Sequence, residues 1–305
     1  MGEIKMGIIK TLFASTCCLF ASVLVGQQNR PTASNKLFEI KLSNTSIYYK
    51  SIGKGKPLIF LHGFSADHQM MEASMEPIFK NSNGYRRIYI DFPGMGQSPA
   101  SESIKNVDDM LVVINEFIDS LIPNQHFLLA GQSFGGYIAR GILKTKQEWV
   151  DGVCLIAPLV NPNKRAVPEK KVIVSNKALL DTITNATAKG AFSQVAVVQE
   201  PAIYERTKTE IIDPISLANQ KFLLRFTGKN YEFSFNPDSL SKPFDKPSLI
   251  LAGRQDHITG YYDNWKYFQN YTRTSFVILD RAGHNLHIEQ SELFTSLVKE
   301  WLRRV

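Results

Sequence analysis

The stretch that decides the fold is His126-Phe-Leu-Leu-Ala-Gly-Gln-Ser133-Phe-Gly-Gly-Tyr-Ile-Ala-Arg140. Residues 127–130 are four apolar residues in a row and read as a strand buried on both faces. Gly131-Gln-Ser133-Phe-Gly135 follows at once, and residues 136–143 read as a helix. A strand, a sharp turn and a helix with a serine at the apex form the Gly-x-Ser-x-Gly nucleophile elbow. Such a turn holds its serine in a strained conformation, and its glycines let strand and helix approach closely. Glycine and serine are common, so the pentapeptide alone is a weak signal. The apolar strand before it and the helix after it carry the reading.

Outward from the elbow, residues 37–42 and 46–50 alternate in polarity and predict an antiparallel pair. Residues 58–61 form an apolar strand that runs into His62-Gly-Phe64, and a helix follows over 70–79. Residues 87–90 are the next strand, ending in the turn-rich Asp91-Phe-Pro-Gly-Met-Gly-Gln-Ser98. Ile104, Val107, Met110, Leu111, Ile114, Phe117, Ile118 and Leu121 recur at helical spacing, with Ser103 as N-cap and Pro123 as the stop. Beyond the elbow, residues 152–157 make a further strand. The rhythm then breaks over 158–244, where helical patterns at 173–183 and 215–226 have mixed polarity. It resumes with strands at 247–252 and 275–279 and a final helix that lines up Leu293, Phe294, Leu297, Val298, Trp301 and Leu302. Strands alternating with helices imply an α/β domain over 37–305, with a mainly parallel eight-stranded sheet and helices on both faces. Residues 158–244 are an insertion between two strands, positioned above the strand ends to act as a helical lid.

The chain has 305 residues, with 35 Lys and Arg against 28 Asp and Glu, a net charge of +7. The basic excess is spread out. A nucleic-acid surface needs a basic stripe interleaved with aromatics, and the sequence has none. Residues 1–26 stand apart: Lys5 and Lys10 precede an uncharged run over 11–25, the pattern of a signal peptide or N-terminal anchor. Export or membrane anchoring through that segment is the expectation, with 27–36 as a polar linker. Two of the three cysteines, Cys17 and Cys18, lie inside it, so cleavage would leave Cys154 alone in an apolar run, without a disulfide partner. The six histidines form no metal-binding spacing, and no glycine-rich phosphate loop follows a strand. No metal or other cofactor is expected.

A serine hydroxyl is a poor nucleophile at neutral pH and needs a base within hydrogen-bond reach. Histidine is the usual base, and a buried carboxylate fixes its tautomer. Asp256 follows the strand ending at 252, and His284 follows the strand ending at 279. The order serine, acid, histidine is the one that goes with this elbow. Asp280 and Asp263 are alternatives for the acid, although Asp280 stands only four residues before His284. His287 reads as a helix-start or surface residue, and His62 as a loop-packing one. Gln132 flanks the serine and is a candidate pocket residue. His257 either lines the pocket or is exposed, and the sequence does not decide.

Together these motifs, His62-Gly-Phe64, Asp91-x-Pro-Gly-x-Gly-x-Ser98, Gly131-x-Ser133-x-Gly135-Gly136, Gly253-x-x-Asp256 and Gly283-His284, resemble the α/β-hydrolase fold family in its lidded, single-domain form. The resemblance covers residues 37–303. It implies Ser133 as nucleophile, His284 as base and Asp256 as orienting acid, with the oxyanion hole formed by the backbone N–H groups of Phe64 and Phe134. It further implies a serine hydrolase acting on a small or medium apolar acyl substrate, an ester first. Amide, lactone or carbon–carbon hydrolysis on the same triad is the alternative, and a lyase or a non-catalytic binder of the fold stands further off. Haloalkane dehalogenases and epoxide hydrolases of this fold carry an aspartate where this chain has Ser133.

Overall fold

Strands buried on both faces need continuous apolar runs, and the centre of the sheet is built from them. The structure, a computed structural model, describes residues 36–80 and 83–305, so the expected signal or anchor segment lies outside the described residues. Eight strands, β1 (Phe38–Lys41), β2 (Ser46–Ile52), β3 (Gly55–Leu61), β4 (Gly84–Ile90), β5 (Phe127–Gln132), β6 (Val150–Ile156), β7 (Ser248–Gly253) and β8 (Thr274–Leu279), form one sheet in the order β1-β2-β4-β3-β5-β6-β7-β8. β2 pairs antiparallel with β1 and β4, and every other pairing is parallel.

Helices α1 (His68–Phe79), α2 (Val107–Leu121) and α3 (Phe134–Lys146) make the central crossovers. The insertion contributes α4 (Lys177–Thr182), α5 (Ala186–Val195), α6 (Pro201–Thr207), α7 (Asp213–Ile215) and α8 (Gln220–Leu223). Helices α9 (Leu286–Glu289) and α10 (Ser291–Arg304) end the chain. The period-2 alternation of the strands sorts their side chains into two cores. Leu58, Phe60, Leu128 and Ala130 pack with Met71 and Met75 of α1 and Val298 and Trp301 of α10. Ile59, Leu61 and Leu129 pack on the opposite face with Met110, Ile114 and Phe117 of α2 and Ile138 of α3.

Two expectations are corrected here. The long helix begins at Val107 rather than near Ile104, because Asn106, not Ser103, is its N-cap. The Asn106 side chain accepts from Asp109 N at 2.9 Å, and Asp109 Oδ2 accepts in return from Lys105 N at 2.8 Å. In the insertion, Ile173 and Val174 are not helical; their N–H groups donate to Val197 O, and α4 starts only after Asn176 caps it. The pattern at 215–226 is likewise broken, with α8 restarted by Asn219. Among the described residues no helix is long and apolar enough to cross a membrane.

His62 ties the ends of two central strands together. Its Nδ1 lies 2.7 Å from Gly63 O, and its Nε2 lies 3.1 Å from Phe92 N. The ring therefore donates through Nδ1 and accepts through Nε2, a neutral tautomer that a second proton would disrupt. Burial pushes its pKa down to about 4, only partly offset by the nearby Asp91 charge. In the unfolded chain the ring takes up a proton below about 6.5, so the folded state loses stability as pH falls from there toward 4. His62→Asn should remove this dependence. The stability gap between wild type and variant, measured by urea unfolding, should narrow from pH 7 to pH 5; a gap that is constant or widens would refute the assignment.

Candidate active site

In a parallel sheet the crevice forms where successive crossovers leave in opposite directions. Here β3 leads to β4 on one side and β5 lies on the other, so the loops after β3 and β5 flank one crevice. Ser133 ends β5 and begins α3 with no intervening loop. Its backbone stands at φ 53°, ψ −115°, a left-handed φ that costs a non-glycine residue about 1–3 kcal/mol. The turn can be that tight because Gly131 has no Cβ to strike the Gly135 carbonyl, and α3 can seat on the end of β3 because Gly135 has no Cβ to run into the carbonyl oxygens of Leu61 and His62.

The acid and histidine arrive from two further strand ends. A Cβ on Gly253 would strike the carbonyl oxygens of Ala282 and Gly283, so glycine there lets the loop after β7 pack on the turn before His284. His284 Nε2 lies 2.8 Å from Ser133 Oγ, and its Nδ1 lies 3.0 Å from Asp256 Oδ2. With Nδ1 protonated toward the carboxylate, Nε2 is free to accept the serine proton.

Asp256 is fully buried, and both oxygens are engaged. Oδ1 accepts from Ile258 N at 2.8 Å and Thr259 N at 3.0 Å, and Oδ2 accepts from Thr259 Oγ1 at 2.7 Å as well as from His284. Burial alone would raise its pKa, yet the His284 ring and the Thr259 hydrogen bonds hold it below the usual carboxylate range. The alternatives for the acid are occupied elsewhere. Asp280 Oδ1 accepts from Gln255 Nε2 at 2.7 Å, while Asp263 accepts from Ala166 N at 2.9 Å and pairs with Lys266.

The rings of Phe64 and Phe134 meet edge to face at 5.3 Å. The N–H groups on either side of Phe64 point at sulfur, Gly63 N to Met70 Sδ at 3.4 Å and Ser65 N to Met95 Sδ at 3.3 Å. Among the described residues the Phe64 N–H has no acceptor. Phe134 is the first residue of α3, where an N–H has no partner within the helix and forms part of the positive end of the dipole.

The remaining candidates fall out differently. Gln132 is buried, and its amide donates to the His284 carbonyl oxygen at 3.3 Å, so it braces the histidine loop. His257 is half-buried and makes no hydrogen bond to Ser133 or His284 among the described residues; burial, with Lys170 and His284 nearby, lowers its pKa. His287 does lie at a helix start, but it is not a surface residue: it is 2 % exposed, and burial drives its pKa down to about 3. Sequence reasoning missed Thr259 and Glu289. Thr259 was within reach, since an aspartate commonly accepts from backbone N–H groups two and three residues on.

Comparison with known proteins agrees with the fold. A sequence model described as the α/β hydrolase fold matches residues 56–291. The chain is 35% identical over 268 residues to the AB hydrolase superfamily protein YisY of Bacillus subtilis, covering 85% of this chain and 96% of that protein. It is 22% identical over 284 residues to the pimeloyl-[acyl-carrier protein] methyl ester esterase of Legionella pneumophila strain Corby, covering 85% and 100% respectively. The crystal structure of an α/β superfamily hydrolase from Oenococcus oeni PSU-1 superposes with a TM-score of 0.80 at 30% identity, over 88% of this chain and 98% of that one. The chain belongs to the α/β-hydrolase fold family.

Asp256→Asn tests which acid orients the ring. The fixed N–H groups of Ile258 and Thr259 would claim the amide oxygen and turn its NH2 toward His284 Nδ1. That moves the ring proton to Nε2, where it can no longer accept from Ser133. Hydrolysis of a p-nitrophenyl ester should fall about 10⁴-fold, whereas Asp280→Asn should stay within about threefold of wild type. The reverse pattern would assign the acid to Asp280.

Proposed function

We propose that the chain hydrolyses a carboxylic ester of a small to medium apolar substrate through an acyl-enzyme on Ser133. The observation that carries the proposal is the continuous hydrogen-bonded path from Ser133 Oγ through His284 to buried Asp256. Ser133 Oγ attacks the carbonyl carbon as its proton passes to His284 Nε2. The carbonyl electron pair moves onto oxygen, which accepts hydrogen bonds from the Phe64 and Phe134 N–H groups; each such donor is worth about 10²–10³ in rate. Collapse of this intermediate breaks the bond to the leaving alkoxide, which takes the proton from His284. Water then attacks the acyl group with His284 as base, and the second collapse releases the carboxylic acid and restores the Ser133 hydroxyl.

Relatives named as esterases support an ester as the bond cleaved. The apolar character of the substrate rests on the rings around the proposed oxyanion position. Tyr231 stacks on Phe134 at 5.7 Å and meets Phe64 edge-on at 5.3 Å, and Phe226 meets Phe64 at 6.0 Å. Both residues come from the insertion, which in this reading is a lid that supplies one wall of the acyl site.

A fluorophosphonate probe should label the wild type once, at Ser133, and Ser133→Ala should lose both labelling and esterase activity. A folded wild-type protein inert to the probe and to short-chain esters would refute the proposal. Tyr231→Ala should open the acyl wall, raising the ratio of kcat/KM for p-nitrophenyl octanoate over acetate about 10-fold. An unchanged chain-length profile would remove Tyr231 from the acyl site.

A further inference from the structure

Glu289 is a buried carboxylate that the hydrolytic mechanism leaves without a task. It lies in the short helix α9, five residues after His284, and is 9 % exposed. Its two oxygens are divided between two parts of the chain. Oε2 accepts from Gly283 N at 2.6 Å, the residue immediately before His284. Oε1 accepts from Val197 N at 2.6 Å and Val198 N at 3.3 Å, both in the core of the insertion. The same contact is closed sterically, since a Cβ on Gly283 would lie 2.7 Å from Val197 Cγ2. Val197 O in turn accepts from Ile173 N and Val174 N, so the clamp reaches into the body of the insertion.

A buried carboxylate is costly, and Glu289 has no cationic partner within salt-bridge distance among the described residues. Burial and the neighbouring Asp256 charge raise its pKa, against the three N–H groups that lower it. What the site gains is an acceptor on both sides. Only an ionised carboxylate presents two oxygens with no hydrogen of their own; a protonated acid or an amide would turn a donor toward one set of N–H groups.

We propose that Glu289 is a positioning residue: its carboxylate fixes the turn that presents His284 to Ser133 and fastens that turn to the insertion. The inference rests on the assignment of His284 as the base. It makes the alignment of the base depend on the seating of the insertion, through one side chain that touches neither substrate nor Ser133.

Glu289→Gln is the direct test, because it keeps the shape and removes one acceptor. Active sites are first counted by fluorophosphonate stoichiometry, and rates are expressed per labelled Ser133. The expected result is a kcat per site lower by about 10- to 100-fold, with KM within about threefold and the rate of labelling slowed in parallel with kcat. A variant with fewer competent sites but unchanged kcat per site would give Glu289 a purely structural role and overturn the proposal, while leaving the hydrolase reading intact. Failure of the wild type to label at Ser133 would instead remove the base assignment on which the proposal stands. If the glutamine variant does not fold, amide exchange on the wild type decides. One carboxylate holding both N–H groups predicts protection of Gly283 and Val197 within about tenfold of each other, and a larger disparity would overturn the clamp.

Discussion

The structure depends on the absence of a loop between β5 and α3. Ser133 alone turns the chain, at a positive φ that serine adopts only when its surroundings compel it. The compulsion is steric. Gly135 packs against the Leu61 and His62 carbonyls, which seats the start of α3 on the end of β3. That contact brings the start of α3 next to the Phe64 loop, where the Phe64 N–H has no acceptor among the described residues. In the proposed mechanism, strain at this one residue sets the relation between nucleophile and oxyanion position.

Around that turn, the precision of the site comes from carboxylates that meet fixed backbone donors. Asp256 accepts two N–H groups and the Thr259 hydroxyl, which leaves one lone-pair direction for His284. Glu289 accepts three N–H groups, all from the backbone, and none of these partners is a reacting group. The two differ in consequence. In the proposed reading Asp256 sets the tautomer of the ring, whereas Glu289 sets where the ring is. Both carry a desolvation penalty that the hydrogen bonds oppose, at about 1.5–3 kcal/mol for each bond to a charged group; the bonds prevail at Asp256, and burial prevails at Glu289.

The layout of the sheet was legible in the sequence because strands buried on both faces admit little but apolar residues. The elbow was legible because a turn that tight requires glycine two residues to either side of the serine, at 131 and 135. Asp256 and His284 followed from strand ends and chemical need. The start of α2 was misplaced because Ile104 is buried in the turn before the helix and extends the apolar rhythm, while Asn106 holds the cap. The insertion resisted reading for a different reason. Its helices are short, restarted by asparagine caps at 176, 185 and 219; the apolar residues of α4, α5 and α6 share a satellite core, while Phe222 and Leu223 of α8 pack into the core against α2 and α3. No single window carries a period long enough to see. Glu289 was illegible on similar grounds: a glutamate near a helix end is ordinary, and only the fold brings Gly283 and Val197 to it.

The insertion is therefore not an independent cover resting on a finished site. Among its many contacts with the rest of the domain, three reach elements that the proposed mechanism uses. Arg140 of α3 donates to Leu159 O at 2.9 Å at one root of the insertion and pairs with Asp238 near the other, which ties both roots to the helix that follows Ser133. Tyr231 packs on the rings of Phe64 and Phe134, whose N–H groups form the proposed oxyanion hole. Glu289 joins Val197 to the turn that carries His284. In the proposed reading, substrate preference can drift through the rings of the wall while these attachments hold the His284 turn and the elbow helix.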